Sequence, residues 1–166
     1  YKSGLNIPVL YDCDIKEQQL VMSNVPGRPL IELLNDDSID DVTMMKHLQS
    51  AGYSIRMLHR QAIVHGDLST NNIMITPSGE AVLIDFGLAK IEFETELYGI
   101  DLHVLFEILG ASHPHRENAM EAVLQGYKQC EQDLGTAEKT PGGDPVCMED
   151  VIQRFDLIRT RVRYHG

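Results

Sequence analysis

The stretch IVHGDLSTNNIMI, residues 63–75, decides the fold of this chain. An apolar run ends in His-Gly-Asp, of which Asp67 is the last residue, and Asn72 follows five positions later. The next segment, IMITPSGEAVLIDFG, predicts a β-hairpin with IMI and AVLI as strands and TPSG as the turn. Asp67 and Asn72 precede the first strand and Asp85 follows the second, so we expect the three side chains to meet at one edge of the hairpin.

These three side chains predict a site for magnesium and phosphate. Two carboxylates and an amide oxygen are hard oxygen ligands of the kind that Mg²⁺ prefers. Gly87 lets the backbone turn sharply beside such a metal. Phosphoryl transfer needs this set, because a metal clamps the phosphates while a carboxylate orients the attacking hydroxyl. The alternative to a metal site is that Asp67 and Asn72 are turn and cap residues and that Asp85-Phe86-Gly87 is a chance tripeptide. The order of these residues and the hairpin between them argue against it.

Residues 65–72, HGDLSTNN, resemble the catalytic loop H-R-D-L-x-x-x-N of protein kinases, and residues 85–87 match their D-F-G motif. The two motifs stand in the usual order and at the usual interval, with the hairpin between them. The resemblance implies an α+β fold of the protein-kinase type. We expect a mostly α-helical C-lobe with small β-hairpins, and an N-lobe that is largely absent.

The resemblance also implies a role for each motif residue. Asp67 is the catalytic carboxylate, and Asn72 and Asp85 are the magnesium ligands. His65 packs beneath the D-F-G turn as a structural residue. Asp101 resembles the helix-F aspartate that ties down the catalytic loop, which is also a structural role.

The segment LVMSNVPG resembles the last strand of the small lobe where it runs into the hinge. By this resemblance Met22 is the gatekeeper, and the backbone of Ser23 and Val25 faces the adenine. Met74 and Ile84 line the floor of the nucleotide pocket, although apolar strand residues are also typical of an ordinary core. The implied cofactors are ATP and Mg²⁺.

Apolar periodicity predicts the remaining elements. PVLYDCD and QLVM are expected to form a first pair of strands. Helices are predicted over residues 28–35, 42–60, 98–110, 116–134 and 148–164. Ser38 with Asp41 resembles a capping box before the second helix, and Gly110 is expected to end the third. Gly52 inside the second helix indicates close packing there.

The kinase resemblance divides the chain into two parts. Residues 1–28 are the end of the small lobe and the hinge, and residues 29–166 are the C-lobe. A glycine-rich loop, a strand lysine and a helix-C glutamate are expected before residue 1, and Lys2 does not stand in the context of that lysine. If the protein begins at Tyr1, we expect weak ATP binding, little transfer and a scaffold role.

The branch of kinases follows from what surrounds the motifs. The short interval from the D-F-G motif to Asp101 contains no A-P-E motif and has no room for a peptide-docking loop. Kinases of the aminoglycoside and choline type usually read H-G-D-L-H-x-x-N. The PRPK-type kinase subunit of the KEOPS/EKC complex reads close to H-G-D-L-[ST]-[ST]-x-N, so Ser69 and Thr70 favour the second group. The segments IDFGLA, DLHVLFE and ASHPHRENAMEAVLQGY also resemble that family.

Membership of that family implies serine/threonine kinase or ATPase activity in threonylcarbamoyladenosine modification of tRNA. Ser69 would contact the γ-phosphate and count with Asp67 among the catalytic residues. The implied partners are the KEOPS/EKC subunits, especially the universal tRNA-modifying ATPase subunit. The basic C-terminal tail is a candidate tRNA contact, although its charges also suit an ordinary helix end. These charges are Arg154, Arg159, Arg161, Arg163 and His165.

Composition limits the alternatives. The net charge of −11 and the pI near 4.9 disfavour general nucleic-acid binding. The three cysteines include no C-x-x-C pair, and no apolar run is long enough to span a membrane. We therefore expect a cytoplasmic protein, with the nucleus as a second location. A non-catalytic module that docks a partner and a small-molecule kinase stay open as alternatives.

Overall fold

The helices of the chain share one hydrophobic core with several short antiparallel strands. The computed structural model describes residues 4–140 and 143–163. In these ranges the helices are α1 Leu30–Leu34, α2 Asp41–His59, α3 Thr95–Ser112, α4 Ala119–Leu134 and α5 Met148–Arg163. The strands are β1 Leu10–Asp14, β2 Gln19–Met22, β3 Arg28–Pro29, β4 Ile63–Val64, β5 Ile73–Ile75, β6 Ala81–Leu83 and β7 Lys90–Ile91. The predicted helical body with small hairpins is confirmed.

The strands form three small sheets, with the orders β1-β2, β3-β5-β6 and β4-β7. Both predicted hairpins, β1-β2 and β5-β6, are confirmed. In the second hairpin Ile73 pairs with Leu83 and Ile75 with Ala81, and all four side chains are buried. The sequence does not predict β3, β4 or β7, because a strand of two residues gives no detectable alternation.

Two glycines let α2 and α4 cross at close range. A Cβ at Gly52 would lie 1.8 Å from the carbonyl oxygen of Val123, and a Cβ at Gly126 would lie 1.8 Å from that of Gln49. Each glycine therefore faces the backbone of the opposite helix, where a larger side chain has no room. The close packing predicted at Gly52 is confirmed.

The start of α2 differs from the prediction. Asp40 is its N-cap, and the Asp40 side chain accepts a hydrogen bond from the backbone N–H of Thr43 at 2.9 Å. The predicted capping box of Ser38 and Asp41 is therefore wrong. Ser38 donates its N–H to Asp36 in the preceding turn, because a carboxylate two residues back competes for that N–H.

The end of α3 also differs from the prediction. The helix continues to Ser112, so the predicted end at Gly110 is wrong. A glycine costs a helix only about 1 kcal/mol, whereas Pro114 cannot continue it. The helix also begins earlier than predicted, at Thr95, and α4 begins later, at Ala119. None of the described helices is long and apolar enough to cross a membrane.

Candidate active site

The loop between β4 and β5 brings Asp67 and Asn72 into direct contact. The side-chain amide of Asn72 donates to the backbone carbonyl of Asp67 at 2.9 Å and to its carboxylate at 3.1 Å. Asn72 is buried, whereas Asp67 is exposed. Since the N–H groups of Asn72 make these bonds, its amide oxygen is available as a cation ligand.

The hairpin β5-β6 connects Asp85 to the same loop. The N–H of Ile84, the preceding residue, donates to the backbone carbonyl of Asn72 at 3.0 Å. Asp85 has a φ of 59°, and a non-glycine residue in this left-handed region carries strain that is found most often at functional sites. The N–H of Gly87 lies 3.3 Å from Oδ1 of Asp85. The left-handed residue of this turn is therefore Asp85, not Gly87.

Asp101 of α3 holds the first two residues of the loop. Its buried carboxylate accepts the backbone N–H of His65 at 2.7 Å and that of Gly66 at 2.9 Å. Burial alone would raise the pKa of this carboxyl, but hydrogen bonds from His59 and from the two backbone N–H groups outweigh burial and lower it. Asp101 is thus ionised at neutral pH, and it fixes the backbone of the two residues that directly precede Asp67.

His65 connects the two sequence motifs. Its ring is fully buried, and Nε2 lies 3.1 Å from the carbonyl oxygen of Ile84. Because a carbonyl only accepts, Nε2 carries the proton. The ring centroid lies 5.1 Å from that of Phe86. His65 therefore contacts both Ile84, the residue after β6, and Phe86, the residue after Asp85.

The residues after β2, which the sequence predicts as the hinge, have backbone groups that a ligand could bind. Ser23 donates its N–H to the carbonyl of Val9 at 2.8 Å, so only its carbonyl is available to an adenine edge. Among the described residues neither the N–H nor the carbonyl of Val25 has a hydrogen-bond partner. Met22 is 49% exposed and ends β2 immediately before these residues.

Met74 and Ile84 lie on one face of the hairpin β5-β6. Met74 pairs with Val82, and Ile84 is two residues beyond Val82, so the pleat directs all three side chains to the same side. Ile73 and Leu83 occupy the opposite, core face. Met74 and Ile84 are each half-buried. Half-buried apolar side chains on one face can pack against a flat ring.

The donor set of Asn72 and Asp85 fits a magnesium ion. No group of three or more His, Cys, Asp or Glu side chains that could hold a metal is found in residues 4–140 and 143–163. Mg²⁺ does not need such a cage, because it usually keeps several waters and substrate phosphates beside one or two protein oxygens. The amide oxygen of Asn72 and the second carboxylate oxygen of Asp85 are donors of that kind.

The arginines of α5 are partly neutralised. Arg154 pairs with Glu96 at 3.0 Å, and Arg159 pairs with Asp156 at 2.9 Å. Arg161 is exposed. The side chains of Arg163 and His165 lie outside the part of the chain that the structure describes.

The sequence pattern did not indicate His59, which also reaches the site. Its Nε2 lies 3.3 Å from Oδ2 of Asp101, and its Nδ1 lies 2.8 Å from the hydroxyl of Tyr127. Tyr127 is far from the motifs in sequence, and His59 lies on α2, six residues before His65. The only local signal is a histidine directly after Leu58, at the buried end of α2.

The comparisons with known proteins first define the class. The protein kinase domain model matches residues 6–99, more than half of the chain, so the chain belongs to the protein kinase family. A solved structure, WaaP in complex with acyl carrier protein, shares the fold with a TM-score of 0.60 at 15% identity. The match covers 77% of this chain and 61% of WaaP. The predicted protein-kinase-like fold is confirmed.

The similar curated proteins point to one branch of that family. The KEOPS complex subunit Bud32 of Pyrococcus abyssi is 38% identical over 125 residues, which cover 75% of this chain and 56% of the relative. The EKC/KEOPS complex subunit BUD32 of Gibberella zeae is 31% identical over 145 residues, covering 77% and 55%. A probable bifunctional tRNA threonylcarbamoyladenosine biosynthesis protein of Methanosarcina barkeri is 32% identical over 164 residues, covering 98% and 25%.

These relatives confirm the resemblance to the KEOPS/EKC kinase subunit that Ser69 and Thr70 indicate. The chain spans about half the length of the Pyrococcus and Gibberella relatives, and a quarter of the Methanosarcina relative.

Proposed function

We propose that the chain is the catalytic lobe of an atypical Mg·ATP-dependent serine/threonine kinase or ATPase of the KEOPS/EKC complex. The contact between Asn72 and Asp67 carries the proposal. It places one oxygen donor and one exposed carboxylate side by side on a loop that Asp101 anchors. Phosphoryl transfer is catalysed mainly by such positioning and by charge stabilisation, so a rigid pair is what the reaction requires.

Each residue of the candidate site has a separate task in this proposal. Asp67 orients the attacking hydroxyl of an acceptor, or a water, and receives its proton. Asn72 and Asp85 would hold Mg²⁺, which supplies charge neutralisation at the phosphates when it is bound. Ser69 lies half-buried between Asp67 and Asn72 in sequence and would donate its hydroxyl to the γ-phosphate. A hydroxyl contributes a hydrogen bond there without the charge that a lysine would bring.

The hinge and the hairpin would receive the adenine. The carbonyl of Ser23 can accept from the exocyclic amine, and the N–H of Val25 can donate to a ring nitrogen. Met22 borders this edge, and Met74 with Ile84 would pack against one face of the ring.

The names of the relatives support the proposed context. Two of them are named as subunits of a KEOPS complex. The Methanosarcina relative carries its matching segment as a quarter of a longer chain named for threonylcarbamoyladenosine biosynthesis. We therefore place this chain beside the universal tRNA-modifying ATPase subunit, in the cytoplasm or nucleus. With Arg154 and Arg159 paired internally, a tRNA contact of the tail would depend on Arg161 and the residues after it.

The test is phosphate release from ATP by the assembled complex. Asp67→Ala and Asp85→Asn should each abolish turnover, because one removes the orienting carboxylate and the other a magnesium ligand. Asp37→Asn changes an exposed carboxylate outside the site and should turn over like the wild type. Retained turnover in both site variants would refute the catalytic proposal.

Calorimetry separates the catalytic role from a non-catalytic docking role. Mg·ATP should bind the full gene product, and Asp85→Asn should lose most of that affinity. A protein that assembles with its partner subunits but binds no Mg·ATP would be a docking module.

A further inference from the structure

A buried series of hydrogen-bonded side chains connects the catalytic loop to α4, the helix that packs against α2. Asp101 contacts the loop, His59 of α2 contacts Asp101, and Tyr127 of α4 contacts His59. All three residues are at most 3% exposed. Asp101 accepts the N–H groups of the two residues directly before Asp67, so a shift of the Asp101 carboxylate would move the catalytic loop.

The burial and hydrogen-bond partners of His59 and Tyr127 determine which of their atoms carry protons. Burial lowers the pKa of His59 and raises that of Tyr127, so the ring is neutral and the phenol keeps its proton. A neutral imidazole has one donor and one acceptor nitrogen, and a carboxylate only accepts. Nε2 must therefore donate to Asp101. Nδ1 must then accept the hydroxyl proton of Tyr127.

The ring of His59 is held on several sides. Tyr98 of α3 packs edge-on with its centroid 4.8 Å away, and Tyr127 packs edge-on at 5.6 Å. These contacts limit tilting of the ring. They do not by themselves choose which nitrogen faces Asp101, because an imidazole turned over occupies nearly the same volume. The hydrogen bond from Tyr127 makes that choice together with Asp101.

The buried cation Arg56 holds Tyr127, the residue of this hydrogen-bonded series that is farthest from the catalytic loop. The guanidinium carbon of Arg56 lies 5.5 Å from the ring centroid of Tyr127, and Arg56 pairs with Glu131 at 2.9 Å. Arg56 also donates to the backbone carbonyl of Val146 at 3.2 Å. Tyr127 is thus packed against a buried cation, which only donates hydrogen bonds, and its hydroxyl has an acceptor in His59.

We propose that Tyr127 is a positioning residue for the catalytic loop and acts through His59 and Asp101. Its hydroxyl holds Nε2–H of His59 toward Asp101, so that both carboxylate oxygens stay on the N–H groups of His65 and Gly66. The link to turnover rests on the proposed function. The link to the loop backbone does not.

The first measurement is hydrogen exchange of the His65 and Gly66 amides in the full chain without nucleotide. Tyr127→Phe removes one hydroxyl and keeps the ring, and we expect both amides to exchange about fivefold faster, the effect of one buried hydrogen bond. Tyr53→Phe is the matched control, because Tyr53 lies on α2 and its hydroxyl has no hydrogen-bond partner among the described residues. The core amide of Leu58 reports global opening, and in Tyr127→Phe the two loop amides should accelerate more than that of Leu58. None of the three amides should change in Tyr53→Phe.

A double variant tests the route. If Tyr127 acts through His59, Tyr127→Phe should have no further effect on these amides in a His59→Phe background. Equal acceleration in both backgrounds, or a uniform acceleration that includes Leu58, would overturn the proposal and leave Tyr127 as a stabilising residue only.

The second measurement is ATP turnover by the assembled complex. Tyr127→Phe should lower kcat about fivefold and leave KM for ATP within twofold, because the hinge is untouched. If the wild type hydrolyses no ATP, the proposed function fails while the exchange measurement still decides the role of Tyr127. Normal loop exchange in an active Tyr127→Phe protein would refute the positioning role alone.

Discussion

Replacing Gly52 by alanine should destabilise the protein strongly, because the position has no room for a methyl group. The new Cβ would lie 1.8 Å from the carbonyl oxygen of Val123 and 2.9 Å from the backbone nitrogen of Tyr127. Even a close carbon–oxygen contact is about 3.3 Å long, so α2 and α4 would have to separate by roughly 1.5 Å. Both obstacles are backbone atoms of a helix, which cannot rotate away as a side chain can. We expect a loss of about 3 kcal/mol, the upper end of the usual cost of overpacking.

The assay is urea denaturation followed by circular dichroism, with Gly110→Ala as the matched control. Gly110 is also a glycine inside a helix, but no atom lies within 4 Å of its added Cβ. This substitution should stabilise the protein by about 0.5–1 kcal/mol through helix propensity alone. A Gly52→Ala protein within about 0.5 kcal/mol of the wild type would refute the reasoning, because that is the spread of neutral surface substitutions.

Three further predictions concern the cap, the buried ion pair and the buried histidine. Asp40→Ala should lower the melting temperature by about 3 °C while Ser38→Ala leaves it unchanged, since only Asp40 caps α2, and calorimetry would show the reverse if Ser38 were the cap. Arg56→Met should lower the free energy of unfolding in urea by about 2 kcal/mol. This loss is smaller than that of a fully unpaired buried charge, because Glu131 keeps its second partner, Arg60. Burial lowers the pKa of His59, so the folded state binds fewer protons than the unfolded state, and stability should fall as the pH drops below about 6.5. The fall in urea midpoint between pH 7.5 and pH 5.5 should be smaller in His59→Gln, and an equal fall would contradict this assignment.

The sequence predicts the elements whose signals are local. The hairpin β5-β6 follows from alternating strands around a turn, and the helices follow from apolar periodicity over several turns. The wrong cap of α2 and the wrong end of α3 share one cause, which is competition between neighbouring polar or special residues. Asp36 takes the N–H of Ser38, and Gly110 is tolerated within α3 because Pro114 provides the stronger stop. Such outcomes depend on small energy differences that a pattern does not rank.

The candidate site also contains residues that the sequence predicts and residues that it does not. Asp67, Asn72 and Asp85 are recognisable because their spacing is fixed by one loop and one hairpin. His59 and Tyr127 carry no comparable signal, since a histidine and a tyrosine on helices are usually ordinary core residues. Their contacts depend on how α2, α3 and α4 pack, and α2 and α4 approach closely only because Gly52 and Gly126 are both glycines. No local pattern contains that information.

The packing of α2 against α4 therefore has two consequences for the site. The same crossing that excludes a methyl group at Gly52 brings Tyr127 within hydrogen-bond distance of His59, seven residues further along α2. A variant that separates these helices should lose stability and loop protection together. Tyr127→Phe should lose loop protection with little change in helix packing, because the ring stays in place. Measuring both quantities in Gly52→Ala and Tyr127→Phe thus distinguishes a loop held by general compactness from one held by a specific hydrogen bond.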